Sequence, residues 1–127
     1  MNTDVGLIGE KDLSRSVIGA ALRVSNSLGV GFLEKVYENA LAIELRLSGH
    51  DVEQQRAIDV RYRGELVGVY QADLVVDGRL VVELKAVESL SPAHKAQCLN
   101  YLRASGLHTG LLINFGRPHL EVRRILS

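Results

Sequence analysis

The chain has one cysteine, no tryptophan, two prolines and no net charge. A single cysteine, Cys98, excludes an internal disulfide and any metal cluster built on cysteine pairs. Lys plus Arg and Asp plus Glu number 15 each, so the chain lacks the excess positive charge with which non-specific polyanion binders gain affinity. That balance leaves room for a nucleic-acid enzyme with a local basic strip. No apolar run approaches the roughly 20 residues that span a bilayer. The N-terminus carries no basic stretch leading into a long apolar one, so no signal peptide is expected. A Walker-type phosphate loop is absent. Gly29-Val30-Gly31 lacks the third glycine of a dinucleotide fingerprint and follows a helical segment. The four histidines, His50, His94, His108 and His119, show no zinc-ligand spacing. These absences leave a soluble, cytoplasmic domain with no membrane partner as the expectation.

What is present suits a packed core. Apolar residues make up 46% of 127 residues, a length that fits a single domain over 1–127. Such a domain buries roughly two thirds of the surface its unfolded chain exposes. After a loose lead-in over 1–10, Val17, Ile18, Ala21, Leu22, Val24 and Leu28 recur at helical spacing, which predicts a helix over about 12–28. Gly29 to Gly31 breaks it. A second helix runs over 32–48 to Gly49, with an apolar arc through Phe32, Leu33, Val36, Ala40, Ile43 and Leu47. The period then changes. Segments near 52–62, 66–76 and 80–87, separated by Arg63-Gly64 and Asp77-Gly78, predict an antiparallel meander of three strands. Ser91-Pro92 opens a third helix over 92–105, with Gly106 behind it. Thr109 to Phe115 suits a strand buried on both faces, and Glu121 to Leu126 an edge strand.

Charges inside the apolar strands are the sharpest signal. Asp73 lies in one run, and Glu83-Leu84-Lys85 in the next. Desolvating such groups is costly unless something pairs them. Two acids holding a divalent metal, with a lysine beside a polarised water or a phosphate, would use all three. Glu83 and Lys85 share a strand face, about 6.6 Å apart. A two-residue Asp77-Gly78 loop would put Asp73 on the opposite face. A three-residue loop pairing Val76 with Leu80 puts Asp73 directly across from Glu83, with Cβ atoms about 5 Å apart. The alternative pairing of Val75 with Arg79 makes the two acids diagonal. A three-residue loop or a bulge is therefore expected. Charges of a solvated edge meander are the bland competing reading.

Two helical sets accompany the acids. Glu34, Tyr37 and Glu38 are three and four residues apart, hence neighbours on the second helix, and Glu34 would supply a third carboxylate. Gln97 and Tyr101 stand one turn apart on the third helix, with His94 on the same side, where amide and phenol would orient a lysine, a water or a phosphate. A solvated Glu beside a core-edge Tyr, and polar residues facing water, explain the same spacings.

Together these residues resemble one family. Gly31-x-x-Glu34-x-x-Tyr37 is similar to the signature of the GxxExxY family within the PD-(D/E)XK nuclease superfamily. The likeness extends through Glu38, Gln55, Tyr62-x-Gly64, Ala72-Asp73-Leu74, Val82-Glu83-Leu84-Lys85-Ala86, Ala96-Gln97, Asn100-Tyr101-Leu102 and Leu112 to Gly116, covering about 12–126. Val30 stands where many members carry proline. The resemblance implies an α/β, restriction-endonuclease-like αβββαβ core, a mixed β-sheet flanked by helices. It further implies that Asp73, Glu83 and Glu34 are metal ligands for Mg²⁺ or Mn²⁺, that Lys85 positions or activates water, and that Gln97, Tyr101 and Tyr37 support the site. The expected function is hydrolysis of phosphodiester bonds in nucleic acid, DNA first, by a homodimer or a larger nuclease complex. A nuclease fold that binds nucleic acid or assembles proteins without cutting is the alternative.

Overall fold

The computed structural model describes residues 9–127, so most of the lead-in expected over 1–10 lies outside the described residues. The elements run α1 (Glu10–Leu28), α2 (Glu34–Leu47), β1 (Val52–Tyr62), β2 (Glu65–Val76), β3 (Leu80–Lys85), α3 (Pro92–Ser105), β4 (Thr109–Asn114) and β5 (Glu121–Leu126). The five strands lie side by side in chain order. β1, β2 and β3 form the antiparallel meander, β3 and β4 are parallel across the α3 connection, and β5 returns antiparallel to β4. Helices α1 and α2 cover one sheet face. Their core includes Leu13, Val17, Leu41 and Leu45, packed with Val82 of β3 and Ile113 of β4. Helix α3 covers the other face, where Leu102 packs on Ile58, Ala72, Val75 and Val81. This is the restriction-endonuclease-like architecture, a mixed sheet flanked by helices. No helix among the described residues is long and apolar enough to cross a membrane.

Local chemistry explains the element ends. Gly49 (φ 91°) closes α2 in a Schellman arrangement, with its N–H donating to Arg46 O and the His50 N–H to Leu45 O. Ser91 caps α3 in a reciprocal box with His94, Pro92 fills the first turn, and Gly106 ends the helix in the left-handed region. His94 is thereby engaged as a cap. After β3, Asn114 is fully buried and holds the next segment through Val87 N–H, Val87 O and Gly116 N–H. A Cβ at Gly116 would collide with the Val87 backbone, so this close approach requires glycine.

The second helix departs from its expected orientation. Its buried residues are Tyr37, Glu38, Leu41, Ala42 and Leu45. The expected apolar arc faces outward instead, with Leu33 79%, Ile43 58% and Leu47 78% exposed. Tyr37 explains the choice. Its hydroxyl donates to Gly29 O at 2.6 Å and accepts from Phe32 N at 3.2 Å, while its ring stacks on Phe115. The Gly31-to-Tyr37 spacing thus ties the α1–α2 turn over the tyrosine and rotates α2 accordingly.

A second tether lies away from the acids. Ser16 Oγ is 2.8 Å from His50 Nε2, and His50 Nδ1 is 2.8 Å from Asp77 Oδ2. The order matches a nucleophile, base and acid relay. Ser16 sits mid-helix, however, where the surrounding backbone amides are spent in the helical ladder rather than offered to an oxyanion. The relay fastens the β2–β3 hairpin to α1.

Candidate functional site

The hairpin loop sets the placement of the acids. Val76 pairs with Leu80, Val75 with Val81 and Leu74 with Val82. Asp77 (φ 53°) and Gly78 (φ 66°) turn the chain, Arg79 N–H donates to Val76 O, and Arg79 is the extra third loop residue. The register is the three-residue alternative, which carries Asp73 to the position across from Glu83.

At that position the ladder stops and side chains take over. Asp73 N–H donates to Glu83 Oε2 at 3.1 Å, and Leu84 N–H donates to Asp73 Oδ2 at 2.8 Å. Each acid therefore satisfies a backbone amide of the other strand. A change of strand parity creates the opening. Leu74 and Val76 join the core under α1 and α2, whereas Ala72 and Tyr70 pack on the α3 side. β1 does the same, with Val52 on the first side and Ile58 on the second. Even-numbered residues of an unbroken strand would share one face. Both reversals fall at Gln55 and Asp73, the missing pair between Gln54–Leu74 and Arg56–Ala72. Gln55 has φ 53°, a conformation that costs a non-glycine residue on the order of 1–3 kcal/mol.

Gln55 uses that conformation. Its Nε2 donates to Asp73 Oδ1 at 3.2 Å and to Glu38 Oε1 at 2.8 Å. Glu38, 4% exposed, also accepts from Gln54 Nε2 and Lys35 Nζ. The acid of α2 linked to Asp73 is thus Glu38. Glu34 lies exposed one turn earlier on the same side of the helix, with no hydrogen bond or ion pair to the acids among the described residues.

The electrostatics follow from burial. Desolvation pushes the Glu83 carboxyl up to about 7, and the neighbouring Asp73 charge adds to it, against smaller opposing effects of Tyr70, the Asp73 amide and Lys85. Burial also raises Asp73, partly offset by the Leu84 N–H and Gln55. Lys85 is near enough to favour the charged form of both acids. Tyr70 is raised far above its ordinary range by burial and then by Glu83. Its hydroxyl is buried beside the Glu83 carboxylate, the hydrogen-bonding neighbour whose charged form it favours. Its ring stacks on Tyr101, whose phenol is raised by burial and then by Glu83.

The expected residues therefore divide. Asp73, Glu83 and Lys85 come together, and Tyr101 closes on them through Tyr70. Gln97 is exposed on α3, and Tyr37 serves the α1–α2 turn. Tyr70 and Gln54 join the site from outside the sequence expectation, although Tyr70 is the aromatic three residues before Asp73. Cys98 is a buried packing residue against Gly110, its thiol pushed up to about 12 by burial. No cluster of three His, Cys, Asp or Glu side chains suited to a metal occurs among the described residues. The donor set nevertheless suits a hard divalent cation through two desolvated carboxylates, since Mg²⁺ commonly uses one or two carboxylates and keeps several waters.

A solved structure titled "Crystal structure of SSO0001" is similar to this chain at 18% identity, covering 84% of this chain and 61% of that chain with a TM-score of 0.49. The chain thus spans less than two thirds of that protein's length. No curated protein matches. The family model of the PD-(D/E)XK nuclease superfamily matches residues 11–125. On that match, over nearly the whole sequence, the chain belongs to the PD-(D/E)XK nuclease superfamily.

Proposed function

We propose that the protein is a Mg²⁺- or Mn²⁺-dependent nuclease that hydrolyses phosphodiester bonds, with DNA as its foremost substrate. The observation that carries this reading is the pair of desolvated carboxylates, Asp73 and Glu83, facing each other at the end of a strand ladder with Lys85 beside them. Asp73 and Glu83 would hold the cation, which supplies Lewis-acid polarisation of the phosphodiester and the attacking water. Gln55 fixes the orientation of Asp73. Lys85 adds positive charge where the phosphate oxygens gain negative charge. The Tyr70–Tyr101 wall limits water around Glu83. Glu34 stands at the exposed start of α2, one turn before Glu38, the α2 acid linked to Asp73 through Gln55. The Gly31, Glu34 and Tyr37 motif supports membership of the GxxExxY family.

A second reading, a module that assembles proteins without cutting, draws on the outward apolar stripe of α2. Leu33, Val36, Ile43 and Leu47 are exposed at spacings of three, seven and four, compatible with a helix–helix seam. Calorimetric titration with Mn²⁺ separates the readings. Binding by the wild type that is lost in Asp73→Ala supports the nuclease site. Absence of binding in both proteins favours the module.

A further inference from the structure

We propose that the groove between β1 and α3 cradles the phosphodiester backbone of a nucleic acid, with Arg103 and Arg56 as its phosphate contacts. This assignment rests on the nuclease reading for its substrate class. The groove has a volume of about 890 Å³, and its lining includes Arg56, Ile58, Arg61, Val75, Asn100 and Arg103. Three arginines face one carboxylate, Asp59, in a chain whose charges cancel overall. The arginines are not equally engaged. Arg61 is 3.3 Å from Asp59 and donates to Gly64 O. Arg56 has only Glu53 at 3.6 Å, with both side chains substantially exposed. Arg103 makes no ion pair among the described residues. Guanidinium groups suit phosphate because their planar donors form paired, charge-assisted hydrogen bonds.

Position links this groove to the acids. Arg56 pairs across the sheet with Ala72, the residue before Asp73, and follows Gln55, which donates to Asp73. Val75 on the floor is two residues beyond Asp73. On the opposite wall, Asn100 precedes Tyr101, which stacks on Tyr70 beside Glu83. A strand held by Arg103 and Arg56 therefore lies along a path that reaches the carboxylate pair. The basic residues of β5 belong elsewhere: Arg123 and Arg124 lie on the strand at the other edge of the sheet.

Fluorescence anisotropy with labelled single-stranded and duplex DNA and RNA oligonucleotides, in EDTA and over a salt series, tests the groove. The double variant Arg56→Gln/Arg103→Gln should bind at least about tenfold more weakly, with a log–log salt slope shallower by about 1.4 for a single strand or about 1.8 for duplex DNA. Arg123→Gln/Arg124→Gln should change neither. Circular dichroism checks that both variants remain folded. Undiminished binding by the groove double variant, an equal loss in the β5 double variant, or no binding by the wild type overturns the groove. Cleavage in Mg²⁺ or Mn²⁺ is scored separately. Asp73-dependent cleavage with an indifferent groove leaves the nuclease reading standing alone, while groove-dependent binding without cleavage removes the hydrolytic reading alone.

Discussion

Replacing Glu83 by glutamine should remove most of the pH dependence that the acid pair gives to folding stability. Burial and the Asp73 charge raise Glu83 from 4.5 to about 7. In that window the folded protein keeps a proton that the unfolded chain has released, so the stability associated with Glu83 is present below the unfolded value and is lost as pH rises through the folded one. Between about pH 5 and about pH 8 the difference amounts to about 2–3 kcal/mol. For a domain of this size that corresponds to a midpoint shift of about 10 °C. Asp73 is raised as well and acts in the same direction. Thermal and urea denaturation in EDTA, compared between wild type and Glu83→Gln across that range, isolates the effect from other titrating groups. The wild type should lose stability toward alkaline pH relative to the variant, and Mn²⁺ should restore more of it at high pH than at low pH. Parallel curves for the two proteins would refute the reasoning.

Three further outcomes follow from individual contacts. Tyr37→Phe removes the donor to Gly29 O and should cost about 1 kcal/mol by urea denaturation without altering metal binding. Gly116→Ala places a methyl group against the Val87 backbone and should destabilise by about 1–3 kcal/mol, also measured with urea. Gln55→Ala takes the shared donor from Asp73 and Glu38 and should weaken Mn²⁺ binding in calorimetry, whereas Tyr37→Phe leaves it unchanged.

The three-strand meander and the place of its turn were legible because strand periodicity is short and Asp77-Gly78 marks the turn. Loop length then decided the parity, and only the alternatives could be written from sequence. The orientation of α2 was not legible in the same way. Its apolar residues define a stripe, but the face that packs was chosen by Tyr37 beneath the Gly29 turn and by Glu38 meeting Gln54 and Gln55. Those partners lie in a strand 16 and 17 residues away, beyond any helical spacing. For the same reason the acid linked to Asp73 is Glu38, one turn beyond the expected Glu34. The parity break was hidden because Gln55 adopts a positive φ without the glycine that usually signals one. Tyr70 was hidden because its role depends on α3 folding back to place Tyr101 over it.

Metal-dependent cleavage tests the central claim most directly. Wild type, Asp73→Ala, Glu83→Ala and Lys85→Ala are incubated with single-stranded, duplex and branched DNA, and with RNA, in Mg²⁺ or Mn²⁺. The account predicts cleavage by the wild type and a loss of at least about a hundredfold in each variant, with the fold retained. No cleavage of any substrate by the wild type, or undiminished cleavage by Asp73→Ala, would contradict it.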